Sequence, residues 1–539
     1  MKNRLAFRRR AALGAFGLLA AVIAMGTWTS AESVRLTDVI RSGDAARAME
    51  MLKEGAPADA RDADGTTALH WAARIDNIEL ARTLLGKGAP AGAANRYGVT
   101  PLTLAAINGS GPMTQLLLDA GADPNATSGE GETVLMAAAR TGRPEPLQLL
   151  LARGANPNAT ERQFGETALM WAAGNNHGEA VHVLVAGGAN PNARSNLIDL
   201  PKVKVDFSFA VGTALPRGGM TALMYAAREG QLEGVTALAD AGADLNLVDP
   251  EGSTAIVIAT INGHFEVAAR LAEKGADPNI GDDSGMAALY AAVDMAHPPS
   301  LTNRPPTRPT GRLSAADLVV VLLKHGADPN QGLKAPILMK QHNSGDASLG
   351  AGATPLMRAA KASDIGIMKS LVEHGADPLQ KLSGGADGLS QALSARGPRV
   401  LTPDMPMFQL IQAMLEHGLD ANTVTNGSPL LHQSLDRGPE FVRMLIGHGA
   451  KLDLKDSSGR TPLEIALGAP STAPAAPAAP AAQPAGRGGF GGAGGRGGGG
   501  FGAAGGRGGG GARGAAPPAP IDPATIALLR ELSAQDENR

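Results

Sequence analysis

Chemistry in this sequence would have to come from its histidines, because the other usual agents are missing. There is no cysteine among 539 residues, which removes disulfides, thiolate nucleophiles and Cys-based zinc sites. No Gly-x-Ser-x-Gly elbow, phosphate loop ending in Gly-Lys-Ser/Thr or His-Glu-x-x-His motif occurs. The 11 histidines fall into positional groups. His325, His374, His417 and His448 each stand directly before a glycine, and His177 and His264 open helical stretches. His182 follows His177 by five residues rather than the four that put two metal ligands on one helix face. His182, His297 and His342 have no recurring place. Structural roles account for this set better than ligation, so no catalytic residue, no metal site and no cofactor is assigned.

Composition points away from a conventional core. Glycine (71) and proline (37) are frequent and aromatics make up only 3%, although aromatics normally supply much of a core's buried area. The apolar residues are mostly Ala, Leu, Val, Ile and Met, which suits closely stacked short helices. With 48 basic and 51 acidic residues the formal charge is -3, so no electrostatic signal marks nucleic acid as the partner.

The elements that hold these residues repeat with a ruler. Gly55, Gly88, Gly121 and Gly154 stand 33 residues apart, and Gly188, Gly242, Gly275, Gly326, Gly375, Gly418 and Gly449 continue the series. Each closes an apolar stretch such as Met113–Leu118, where a helix ends in a left-handed turn that suits glycine. A second signature follows each mark: GTTALHWAA from Gly65, GVTPLTLAA from Gly98, GETALMWAA from Gly165 and GMTALMYAA from Gly219. Thr suits the helix cap and Pro the first helical position. The Ala pair lets neighbouring helices approach closely.

These residues, TPL or TAL followed by AA and then LL..GADPN at 33-residue spacing, resemble the ankyrin repeat over about residues 34–467. The resemblance implies an all-α fold: an ankyrin-repeat α-solenoid of about ten or eleven units with short β-hairpin turns and loop insertions. Its first unit, Leu36 to Lys53, lacks TPL and reads as a cap. It implies a hydrogen-bonding role for His70 and His432 in the turn network. Trp71, Leu104, Trp171 and Tyr225 share the position before the Ala pair and read as contacts between repeats. It also implies a non-catalytic scaffold that binds another protein through turn tips and the residues after the Ala pair. Here those are Arg74, Ile75, Tyr97, Val99, Ile107, Asn108, Phe164, Glu166, Asn175, Arg228, Glu229, Ile261, Asn262 and Lys361. Tyr97 and Phe164 stand out, since aromatics dominate many interfaces. The alternative is an enzyme, or an enzyme-maturation or protection factor, with a site in the insertions.

Where the ruler stretches, chain has been inserted. The surplus between Gly188 and Gly242, near Ser195–Pro216, holds Val203, Val205, Phe207 and Phe209 in period-2 alternation. That pattern predicts an extended β-hairpin, which either contacts a partner or folds back on the stack. A Pro-rich insertion from His297 lies between the two helices of one repeat, and another spans 331–350. The unit around Leu389–Ala395 departs most from the pattern.

Residues 468–520 are low in complexity, first Ala/Pro and then Gly/Arg, and cannot bury enough apolar surface to order themselves. The run with Arg487, Arg496, Arg507, Arg513, Phe490 and Phe501 resembles an RGG segment, but its sparse arginines favour a linker and no nucleic acid is expected. Within 521–539, Pro523–Leu532 predicts a helix that returns as the missing outer helix of the last unit. The N-terminus carries Lys2, Arg4, Arg8, Arg9 and Arg10, an uncharged stretch from Ala11 to Met25, and small residues to Ala31. Residues 1–31 therefore read as a signal peptide, and the chain as exported, periplasmic or secreted, with no membrane span after cleavage. An uncleaved anchor is the alternative.

Overall fold

A computed structural model describes residues 35–198, 206–207, 210–211, 217–297, 309–335, 350–382, 400–425, 428–469 and 521–536. His342, Val203, Val205, Phe209, the Leu389–Ala395 unit and the Ala/Pro and Gly/Arg run lie outside them. The chain divides into two compact units, Met1–Asp123 and Pro124–Arg539.

The first unit is a stack of helix pairs. Leu36–Arg41 and Ala45–Lys53 lead, then Ala68–Arg74 with Ile78–Gly86, and Pro101–Asn108 with Gly111–Asp119. The inner helix of each pair starts where the signature places it. Thr67 Oγ1 accepts the backbone N–H of His70, and Thr100 Oγ1 that of Thr103. Such a side-chain oxygen satisfies a donor the helix itself leaves unpaired. Pro101 fills the first helical position, where no N–H is needed.

The second unit continues the plan. Inner helices Val134–Thr141, Ala168–Gly174, Ala222–Glu229, Ala255–Ile261, Ala288–Ala296 and Pro355–Ala362 pack side by side. Their outer partners are Pro144–Ala152, Gly178–Ala186, Leu232–Asp240, Phe265–Glu273, Ala315–Lys324 and Ile365–Glu373. Helices Pro406–Glu416, Leu430–Gln433, Pro439–Gly447, Pro462–Ala466 and Pro523–Asp536 follow. The Ala pairs Ala172–Ala173 and Ala226–Ala227 are fully buried. Two methyl groups per helix thus set the spacing of the stack, at the close packing that interiors require. The turns are minimal antiparallel contacts, such as Thr127 with Thr133 and Val248 with Thr254.

Polar side chains sew neighbouring repeats together. Asn158 Nδ2 donates to the Gly188 carbonyl at 2.9 Å while its Oδ1 accepts the Asn190 N–H at 2.7 Å. Asn125, Asn279, Asn330 and Asn422 make the same pair of bonds to the next repeat. Asn192 Oδ1 accepts the Asp244 N–H, so this link joins the repeats on either side of the 195–216 insertion. Leu379 takes the Asn position in the unit before the most divergent stretch, and its side chain has no amide to offer.

Histidines occupy three recurring structural places. His177 and His264 each send Nε2 to a carbonyl of the preceding repeat, Arg140 and Arg228, at 3.0 and 2.9 Å. Their rings lie over Gly142 and Gly230, where a Cβ would stand within 2.3 and 2.5 Å of the imidazole. His374, His417 and His448 close their own helices on Ser370, Ala413 and Met444 carbonyls. His70 and His432 bridge forward to the carbonyls of Val99 and Arg460, so their bonds join repeats as well as stabilising a turn.

In the insertion, Leu197–Ile198 pairs with Arg217–Gly218, and Asp206–Phe207 with Ala210–Val211, both antiparallel. Phe207 faces Ala210 in this register. Asp206–Phe207 and Ala210–Val211 thus form a hairpin within the segment where the alternation predicts one.

Candidate functional site

A second lateral pattern runs along the inner helices. The aromatic residue before the Ala pair meets arginines, from the preceding inner helix or from its own. In the first unit Arg41 lies 5.7 Å and Arg74 5.8 Å from the ring centroid of Trp71, whose indole N–H donates to Asp62 at 2.9 Å. In the second unit Arg140 lies 5.4 Å from the Trp171 ring, whose indole donates to Glu166 at 2.8 Å. On the next inner helix Arg228 lies 4.9 Å from the ring of Tyr225, three residues before it on the same helix. These aromatics do join repeats, but they are half-exposed rather than core. Their polar tips need a carboxylate and their faces carry a guanidinium, both of which sit best at the solvent edge.

Around Trp171 and Tyr225 the second unit gathers a continuous patch. Glu166, between the two rings, also interacts with the Tyr225 hydroxyl, as does Ser195. Burial pushes that hydroxyl up to about 12, so it stays protonated and acts as a hydrogen-bonding group. Phe164 is 40% exposed at the turn tip, held by Glu161, whose buried carboxylate accepts the N–H groups of Gln163, Phe164 and Glu166. The Phe164 carbonyl takes the N–H of Asn196 at 2.7 Å, at the root of the inserted hairpin. Beside it Leu197 is 66% exposed. Phe164, Trp171, Tyr225, Leu197, Arg140 and Arg228 thus form one surface of aromatic, aliphatic and guanidinium groups.

The other sequence-derived candidates divide. Tyr97 is 54% exposed, with Arg96 4.7 Å from its ring centroid, and Ile75 and Ile107 are exposed in the same unit. Val99 is half-buried. Asn108 is exposed, yet its amide donates to the Ala73 and Arg74 carbonyls, each at 2.9 Å. Asn175 and Asn262 likewise donate to their own helices at Trp171 and Ile258, and Ile261 is half-buried. These asparagines finish helix ends, because the last carbonyls of a helix lack internal partners. Glu229 pairs with Arg228 at 3.0 Å. Lys361 is exposed, with its pKa lowered by desolvation. Phe207 lies in the described hairpin strand.

Sequence reasoning missed Arg140, Glu161 and Leu197. Arg140 was legible as the residue after the Ala138–Ala139 pair, the same place as Arg74 and Arg228. It also missed a buried cluster further along. Asp294, in the position of Arg140, meets Arg358, in the position of Trp171, at 2.5 Å, with side chains 4% and 9% exposed. Arg358 Nη2 donates to the His297 carbonyl at 2.9 Å, and the His297 ring meets Asp364 at 2.7 Å. Burial raises the Asp294 carboxyl against the opposing pull of Arg358, and it raises the neighbouring Tyr290 hydroxyl. Among the described residues no group of three or more His, Asp or Glu side chains stands together to hold a metal ion.

A family model of ankyrin repeats matches residues 36–128, 113–195 and 223–302, and a single-repeat model matches 351–381. The chain is built of ankyrin repeats. An E3 ubiquitin-protein ligase, hecd-1 of Caenorhabditis elegans, is 27% identical over 171 residues, which is 31% of this chain. The chain spans only 6% of that protein's length. The ankyrin-repeat domain of human ASB11, known from a crystal structure, aligns over 98% of its own length and 45% of this chain, at 23% identity and a TM-score of 0.37. Ankyrin repeats are in general protein–protein interaction modules and their domains are typically non-catalytic. Among the described residues no helix is long and apolar enough to cross a membrane.

Proposed function

We propose that this ankyrin-repeat chain is an exported binding scaffold that grips a protein partner on the Phe164–Trp171–Tyr225 surface of its second unit. The observation that carries this reading is one exposed and two half-exposed aromatic residues with two ring-stacked arginines beside an inserted hairpin. Tyr, Trp and Arg are the residues whose truncation costs most at interfaces. A guanidinium already seated on a ring loses less freedom when it binds, which favours affinity. Glu166 and Glu229 balance the arginines, so the partner segment is mixed in charge and supplies apolar area. The exported location rests on the basic and apolar segment before Ala31.

A photo-crosslinking residue placed at Phe164 or Tyr225 of the full chain, expressed in its own cells, tests this. Capture of one discrete protein, lost in a Trp171→Ala chain and kept in a Glu179→Ala chain, is the expected result. Equal capture from an outer-helix position such as Glu179 would sink the assignment. N-terminal sequencing of the same purified chain tests export, with a start at Glu32 expected.

A further inference from the structure

Between Asn125 and Asn422 the asparagine ladder lacks its asparagine at one position, Leu379. One repeat earlier, Asn330 donates Nδ2 to the Gly375 carbonyl at 2.9 Å and accepts the Asp377 N–H at 2.6 Å. One repeat later, Asn422 makes the same pair of bonds to Gly449 and Lys451, at 2.9 and 2.8 Å. By this register the counterparts of Leu379 are Gly418 and Asp420, and a leucine side chain offers them neither donor nor acceptor. The repeat that carries Leu379 is firmly tied backward. Gln380 Nε2 donates to the Asn330 carbonyl at 3.1 Å, Arg358 holds Asp294 and the His297 carbonyl, and the His297 ring meets Asp364. Toward the following repeat, Ile365–Glu373 packs on Pro406–Glu416, with Leu371 and Ile411 fully buried. Apolar burial is non-directional, so it holds two helices together without the fixed geometry that a rung imposes.

Beyond this seam the chain has internal links of its own. Phe408 and Phe441, both buried, meet edge to face with ring centroids 5.7 Å apart. The Leu401 N–H donates to the Arg437 carbonyl at 2.8 Å, and His432 reaches the Arg460 carbonyl at 3.0 Å. Helix Pro523–Asp536 packs on Pro462–Ala466 and Pro439–Gly447, in the place an outer helix takes. We propose that the chain carries a built-in joint at Leu379, where residues 400–469 together with Pro523–Asp536 open from the stack as one block. This inference does not rest on the binding surface proposed above. In a repeat stack each interface contributes its own nearest-neighbour free energy, so a weak interface decides where the array parts. A complete rung supplies two hydrogen bonds, and their loss makes opening at that interface about tenfold more populated. The repeats before Leu379 stay closed, because Asn330, Arg358 and Gln380 hold them to one another. The place where the array parts is thus set by a single side chain.

Native-state hydrogen exchange of the full chain tests this. Amides of Pro406–Glu416 and Pro439–Gly447 are expected to share one protection level, about tenfold or more below that of Ala315–Lys324 and Ile365–Glu373. Equal protection on both sides of Leu379 overturns the joint. So does protection that declines stepwise from Pro406–Glu416 to Pro439–Gly447, which is ordinary fraying from one end. A fast set that includes Ile365–Glu373 also overturns it, by placing the weak interface earlier in the chain. Leu379→Asn then supplies the missing amide. It is expected to slow exchange throughout the terminal block about tenfold while Ala315–Lys324 stays unchanged. Leu379→Ala, which adds no amide, is expected not to slow exchange at all. Unchanged exchange in Leu379→Asn, or equal slowing in both variants, would refute the role given to this side chain.

Discussion

Arg140 with Trp171 and Asp294 with Arg358 occupy the same two lattice positions on neighbouring inner helices, yet one pair faces solvent and the other is sealed. What separates them is the chain that follows. After Arg140 the repeat turns at Gly142 directly into its outer helix. After Asp294 the helix runs on to Ala296, and His297 leaves for a long insertion while covering Arg358 with its carbonyl. The guanidinium of Arg140 stays solvated and meets a surface carboxylate, Glu132, at 3.6 Å. The same group in a dry site must be neutralised from within, because an unpaired buried charge is far costlier than a paired one. The same repeat position stays half-exposed in one pair and is sealed in the other, where the His297 carbonyl meets Arg358.

The largest expected effect breaks the sealed pair. Asp294→Ala or Arg358→Ala should each destabilise the second unit by about 3–5 kcal/mol, since each strands a buried charge. The double change Asp294→Leu with Arg358→Met should cost much less. Urea denaturation of the four chains checks this, and additive losses would mean that the two side chains do not depend on each other. At the open pair the order reverses. Trp171→Ala is expected to weaken partner affinity by about 2–4 kcal/mol, as hot-spot residues do. Its effect on the unfolding midpoint should stay small, because the ring is half-exposed. Calorimetric titration of the captured partner, beside a denaturation curve, separates the two effects.

A smaller effect is expected where the two pairs share a support. Asn158→Ala removes two bonds between repeats and should cost about 1–2 kcal/mol, at about 1 kcal/mol per hydrogen bond. Thermal unfolding of this variant beside Asn330→Ala tests whether the ladder bears equally near the open and the sealed pair. The smallest concerns the first unit, where the aromatic position is supported by a histidine. Burial lowers the His70 pKa below its ordinary 6.5. Its Nδ1 accepts the Thr67 N–H, so a proton there would oppose another donor. Neutral His70 is therefore the form that the fold favours. Its contribution is complete above about 6.5 and is lost as pH falls through the lowered folded value. Stability of the first unit should fall on acidification below pH 6.5, and His70→Gln should flatten that slope. An unchanged slope would place the titrating group elsewhere.

Much of the repeat was legible because it is local and periodic. The Thr caps, Pro at the first helical position and the Ala pair act within one turn of helix, and a 33-residue spacing links the copies that carry no insertion. The exposed aromatics Tyr97 and Phe164 were legible for the same reason, since a turn tip cannot be core. The helix-end bonds of the asparagines after the Ala pair were not legible, because a polar residue on a binding face and one finishing a helix end look alike in sequence. The hairpin in the insertion was legible as a hairpin, although period-2 alternation fixes which face a residue takes and not where a strand stops.

The sequence by itself therefore determined the unit, its helices and its stacking surface, since each follows from contacts a few residues apart or one period apart. Only the tertiary structure decided which equivalent positions stay open. It brought Asn196 to Phe164, laid Arg140 over Trp171 and set Asp294 against Arg358, pairs separated by 31 to 64 residues. Burial depends on what the intervening chain does after it leaves the stack, and a repeating sequence pattern carries no information about that.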